Sequence, residues 1–270
     1  MMVMHAARKY VIKKMSPFRL LSIYAYDTLG QGHNMYAQIE VDVTNTRQYL
    51  RSQRKAGRNV SFFGFLLSAI ARTIDENKEF NQIRCGKKVY YFDEVDIDTA
   101  IELKLDGVLI PRKFIVRDAA NKTGEEITQE IENAKKSWKE TGFAGEDDRV
   151  ALRWIKFAST LPKWFIKYNI RRLSNRPLKI KHRFGTTYVA SVGGFADISG
   201  FIIPFFEGRN RPVAFAIGGI TIKPGVINSE IKIREYLSLT VSLNHDLVDG
   251  APAARFINRL KQNMEGFKLE

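Results

Sequence analysis

Two hydrophobic periods alternate along the chain and divide it into elements. Leu239, Val241 and Leu243 alternate with Thr240, Ser242 and Asn244, the period-two pattern of a strand with one buried face. Phe256, Ile257, Leu260 and Met264 then recur at helical spacing. The spacing predicts a strand, a turn and a helix, with His245 where the strand gives way. Asp249 stands four residues on, and Gly250 directly follows it. Nearer the start, Ser16-Pro17 predicts a helix over 16–29, with Ser as N-cap and Pro at the first helical position. Glycines and Asn34 break it, and Met35–Val43 alternates as a strand. A polar helix follows over 45–56. Ser61 is an N-cap for Phe62–Glu76, whose apolar face is Phe62, Phe65, Leu66, Ala69, Ile70 and Ile74. Cys85-Gly86 reads as a turn, Val89–Tyr91 and Val95–Leu103 as strands, and Thr123–Lys136 as a Glu/Lys-rich helix.

The stretch 137–181 changes the picture, because Trp154, Phe157, Trp164, Phe165 and Tyr168 are interleaved with Arg and Lys. Pro162 should interrupt any helix there. Two readings stand. A helical hairpin could pack its aromatics on the body while its charges meet water, or residues 150–173 could meet an anionic membrane surface. Single-stranded nucleic acid is the least favoured partner for this segment. The whole chain carries a net charge of +14, which suits a polyanionic partner of some kind. Its 270 residues are most economically one domain with a large core. The one cysteine, Cys85, excludes an internal disulfide, offers no metal cluster and fits a cytoplasmic protein. Residues 1–15 form a basic arm without the apolar core of a secretory signal, and no apolar run approaches a membrane span.

The frame SLTVSLNHDLVDGAPAARFINRLK resembles the His-x-x-x-Asp-Gly signature of the chloramphenicol acetyltransferase and dihydrolipoamide acyltransferase superfamily. Further stretches resemble the same family in the same order. They are Ser16-Pro17-x-Arg19, then Gly107–Pro111 with Arg117-Asp118-Ala119, then Phe184–Gly193, then Pro212–Ile220. The resemblance implies an α/β fold, a mixed sheet flanked by helices, over 16–270, with 137–181 as an inserted segment. It implies an acyltransferase using coenzyme A or acyl-coenzyme A as substrate, without a metal. His245 would be the general base, a role suited to an imidazole that both accepts and returns a proton near neutral pH. Asp249 would be structural, pairing with Arg19 and holding the loop beside Gly250; a solvated Arg19 is the alternative. Asn244-His245-Asp246 stands where the family often has Asp-His-Arg.

The family's oxyanion serine falls on Ala190, with Ser191 one residue later. One residue changes the face of a strand. Either a bulge brings Ser191 to the site or the usual donor is missing. The resemblance also implies a homotrimer with the site between subunits. The acceptor would be a thiol, hydroxyl or amine, on a lipoyl-bearing protein or a small molecule. No lipoyl-lysine domain is expected on this chain. A catalytically weak trimeric scaffold or regulatory protein of the same fold is the competing expectation.

Overall fold

The computed structural model describes residues 15–30, 32–105, 108–142, 149–150, 153, 157–158, 160–192, 199–203 and 210–266. Residues 1–14 of the basic arm over 1–15, Gly107, Trp154 and Gly193 lie outside the described residues. The organising element is a six-stranded sheet in the order β1-β8-β7-β6-β4-β5. Its strands are β1 (Asn34–Asp42), β4 (Ile97–Leu105), β5 (Val108–Val116), β6 (Thr187–Ser191), β7 (Val213–Ile227) and β8 (Glu230–Asn244). β6 runs parallel to both β4 and β7, and the remaining pairs are antiparallel. A separate hairpin joins β2 (Gln82–Cys85) to β3 (Lys88–Tyr91). Cys85 therefore ends a strand and Gly86, at φ 62°, makes the turn.

The α-helices are α1 (Pro17–Leu29), α2 (Thr44–Lys55), α3 (Phe62–Glu76), α4 (Gly124–Thr141), α5 (Lys163–Ser174), α6 (Pro177–Phe184) and α7 (Gly250–Glu265), with short 3-10 turns at Lys78–Phe80 and Ala119–Asn121. The starts of α1, α3 and α4 follow the capping chemistry. Ser16 Oγ accepts from Arg19 N at 3.3 Å, and Ser61 Oγ accepts from Gly64 N at 2.9 Å. Thr123 and Glu126 form a reciprocal capping box on α4. That helix continues to Thr141, so it takes in the first residues of the 137–181 segment.

The core lies between the sheet and α3, α4 and α7. Leu237, Leu239, Val241 and Leu243 are the inward positions of β8, and Phe215 of β7 meets Phe256 of α7. Phe256 also stacks on Phe80 with ring centroids 4.0 Å apart. The opposite face of the same stretch of β8 carries Ser238, Thr240, Ser242 and Asn244, and these are buried as well. β7 and β8 run on past the end of β1, whose last pair is Asp42–Tyr236. Beyond it they form a two-stranded ribbon closed by Asn228 and Ser229, both at positive φ, the geometry of a type I′ turn. Ile222, Val226, Ile231 and Ile233 share one face of that ribbon and are 68–79% exposed.

Candidate active site

The turn that carries His245 is fixed by its neighbours. Asn244, buried at the end of β8, donates its N–H to the Pro212 carbonyl at 2.8 Å. Its Oδ1 accepts from Asp246 N at 3.0 Å, and its carbonyl accepts from both Leu247 N and Val248 N at 3.0 Å. A side-chain amide that mimics a backbone turn is the local reason for an Asn here. Gly32 passes so close that a Cβ on it would lie 2.9 Å from Asn244 Nδ2, which accounts for the glycine. His245 N donates to the His33 carbonyl at 2.8 Å, tying the turn to the start of β1. The imidazole of His245 is exposed and makes no hydrogen bond among the described residues.

Asp246 supplies the ionic clamp on this turn. Its Oδ1 accepts from His33 Nδ1 at 2.7 Å, and its Oδ2 accepts from Arg84 Nη1 of β2 at 2.8 Å. The His33 hydrogen bond, opposed by some desolvation and aided by Arg84, holds the Asp246 carboxyl below its ordinary value. Arg84 is itself placed by its N–H, which donates to the Asn210 carbonyl at 2.8 Å. The three residues are far apart in the sequence, and sequence reasoning did not find them. The one local signal was Asn244-x-Asp246.

Asp249 is exposed and occupies the N-cap of α7 without a side-chain capping bond. The expected Arg19–Asp249 ion pair is not made among the described residues. Arg19 sits exposed in the first turn of α1, and that helix packs on α5. Gly250 has open space where a side chain would be, and nothing in this chain demands glycine there.

Ser191 ends β6, and β6 pairs with β7 in unbroken register, Ala190 opposite Ala216 and Ser191 opposite Ile217. No bulge turns β6 over. Ser191 therefore shares the helix-covered face with buried Val189, and Ala190 shares the other face with Tyr188. A register shift does occur next door, in β7 between Ile217 and Ile220. Gly218 sits in that shift, where a Cβ would approach Gly200 O to 2.4 Å. Around it opens a cavity of about 630 Å³, lined by Ser191, Arg47, Glu102, Lys135, Ile101 and Ile131 among others. Glu102 Oε1 is buried at its wall with no hydrogen-bond donor among the described residues. On the Ala190 face, Asp98 pairs with Lys113 at 3.1 Å. Burial pushes the Asp98 carboxyl up and the Lys113 ammonium down, and each partner opposes the other's shift. Burial also raises the Tyr188 phenol beside them.

The register sets the distance between the two candidate groups. Ser191 lies level with Leu239 across β7, and His245 lies six residues further along β8. At the rise of an extended strand, that separates them by about 20 Å within one chain. Among the described residues no group of His, Cys, Asp and Glu could hold a metal ion.

Comparison with known proteins bears on the family and the fold. The model of the 2-oxoacid dehydrogenases acyltransferase catalytic domain matches residues 30–148 and 185–269. The lipoamide acyltransferase component of the branched-chain alpha-keto acid dehydrogenase complex of Bacillus subtilis is 24% identical over 238 residues, covering 85% of this chain. This chain spans 46% of that relative's length. Among solved structures, a probable dihydrolipoamide acetyltransferase from Listeria monocytogenes superposes with a TM-score of 0.68 at 19% identity, covering 96% of each chain. A chloramphenicol acetyltransferase superposes at 0.54 with 16% identity, over 93% of this chain and 96% of the other. These likenesses bear out the mixed sheet flanked by helices. With its strand, turn and helix around His245 inside the second matched segment, the chain belongs to the family of 2-oxoacid dehydrogenase acyltransferase catalytic domains.

Proposed function

We propose that the protein transfers an acyl group between coenzyme A and a thiol, hydroxyl or amine acceptor, with His245 as the general base. A dihydrolipoyl thiol on another protein is the first candidate acceptor. The observation that carries the reading is the exposed imidazole of His245, without a hydrogen bond among the described residues, on a turn pinned from three sides. Such a group can take the proton of an incoming thiol, a step typically worth ~10²–10⁴-fold in rate. The resulting thiolate attacks the thioester carbonyl and forms the new C–S bond. The tetrahedral oxyanion then collapses, and the departing thiolate recovers the proton from the imidazolium.

The site is shared between copies of the chain, arranged as a closed trimer. A base and a hydrogen-bond donor about 20 Å apart in one sheet cannot serve one reacting carbonyl, so the second group must come from a neighbour. The open space around Gly250 and the apolar face of the β7–β8 ribbon support such a neighbour. The cavity beside Ser191 has the size of a small-molecule site, and its Lys135 suits a phosphate of coenzyme A, whereas Arg47 is paired with Glu235.

Ala190 favours a second reading, a trimeric scaffold of low activity, because alanine offers no donor to an oxyanion. Calorimetric titration with coenzyme A, with an acyl-exchange assay on the parent and His245→Ala, separates the two. Saturable binding with activity lost in His245→Ala supports the transferase. An absence of binding at millimolar ligand supports the scaffold, and an unchanged rate in the variant removes His245 from the chemistry.

A further inference from the structure

Residues 149–184 contain eleven Lys and Arg and no Asp or Glu, against a net charge of +14 for the whole chain. The same residues lie between the two segments that the family model matches. Within them, α5 is held to the body by one stripe. Ile166 is buried, Ile170 and Leu173 are half-buried, and α5 packs against α1. On that side Lys167 reaches Asp27 of α1 at 3.3 Å, and Lys163 lies over the Tyr24 ring at 5.2 Å.

The outer face of α5 is different. Trp164 is 71% exposed and Tyr168 58%. The ring beside Trp164 is Phe165 of the same helix, edge-on at 5.7 Å. One turn further, Arg171 and Arg172 are exposed, as are Leu178 and Lys179 at the start of α6. Arg171, Arg172 and Lys179 form no ion pair among the described residues. A hairpin that packed its aromatics inward would bury Trp164 and Tyr168, and this one does not. A like-charged copy of the same face would be repelled, because no acidic residue lies within the segment to receive it.

We propose that the outer face of α5 and the start of α6 adsorb to an anionic lipid bilayer. Indole and phenol rings partition to the headgroup boundary, where one edge is apolar and the other wet. Flanking cations gain from the negative potential of the leaflet. A helix with an apolar anchor inside and an aromatic-basic face outside would lie in the plane of the surface.

The test uses the full chain and vesicles of phosphatidylcholine with and without about 30% phosphatidylglycerol. Sedimentation with the anionic vesicles only, abolished near 0.5 M NaCl where the Debye length falls to about 4 Å, is expected. Replacing Arg171, Arg172 and Lys179 by Gln should weaken vesicle affinity about 100-fold. Trp164→Ala with Tyr168→Ala should weaken it roughly 10-fold. Bromolipid quenching of Trp164 fluorescence in the parent protein, taken against Trp164→Phe, checks contact without relying on the charge variants. The proposal is overturned if anionic vesicles fail to bind at low salt, or if Trp164 is not quenched. It is equally overturned if a single-stranded oligonucleotide binds the segment while vesicles do not, or if a second copy covers it in solution.

Discussion

Asp246 does for its turn what was expected of Asp249. The His33–Asp246–Arg84 contacts pin the segment that presents His245, so Asp246→Asn should lower kcat/KM by roughly 10–100-fold through misplacement of the imidazole. The folded Asp246 carboxyl lies below its ordinary value of 3.8, so its contribution to stability is present above that pH. It is lost as the pH falls through the lower, folded value. Melting temperatures of the parent and Asp246→Asn should therefore differ at pH 7 and converge in strong acid. A constant gap would mean that the carboxylate is not paired. Much at this scale was legible in the sequence, because His245, its strand and its helix follow local periodicity. The clamp was not legible, because positions 33, 84 and 246 are brought together only by the pairing of β1 with β8 and the placing of β2.

Caps show the same division between elements. Ser61 caps α3 through Gly64 N and also hydrogen-bonds Thr128 Oγ1 at 2.9 Å, linking α3 to α4. Ser61→Ala should cost about 1–2 kcal/mol. Asp249 makes neither a capping bond nor an ion pair among the described residues, so Asp249→Ala should cost only the helix-dipole contribution, about 0.3–1 kcal/mol. Denaturant unfolding of both variants checks the order; the reverse order would restore the Arg19 pairing. α1, α3 and α4 were legible because Ser16, Ser61 and Thr123 cap them, and α7 because its apolar stripe recurs at helical spacing. The far halves of β7 and β8 were not read as strands. Pro224 and Gly225 interrupt the run in β7, and the alternation of Ile231 and Ile233 with Lys232 and Arg234 in β8 marks an exposed face of a projecting ribbon, not a core side. The face of Ser191 was also undecidable from sequence, since it depended on whether β6 carries a bulge. It does not, and the irregularity lies in β7.

At the scale of the molecule, the distance between His245 and Ser191 makes the proposed shared site testable. If Ser191 is the donor, His245→Ala and Ser191→Ala should each be inactive alone. Refolded together, they should recover about a quarter of parental activity, since about three quarters of random trimers are mixed and each holds one intact site of three. Failure to recover, with mixed trimers seen by native mass spectrometry, would exclude that pairing. Ile231→Lys with Ile233→Lys should leave the protomer folded by circular dichroism yet shift sedimentation toward smaller species. Unchanged assembly would free the ribbon of any role in it.

In the proposed trimer, the ribbon would also set how the protein responds to small changes in its sequence. Ile231 and Ile233 contribute little to the chain that bears them, since they are over three-quarters exposed there. In the proposed closed ring of three, with the ribbon in the joint between copies, one gene would alter every joint at once. A substitution that weakens a single joint by about 1 kcal/mol weakens the ring by about three, roughly 150-fold in its equilibrium. The tip of β7 and β8 is thus where a mild mutation, silent in a dilute sample of protomers, would be multiplied by symmetry.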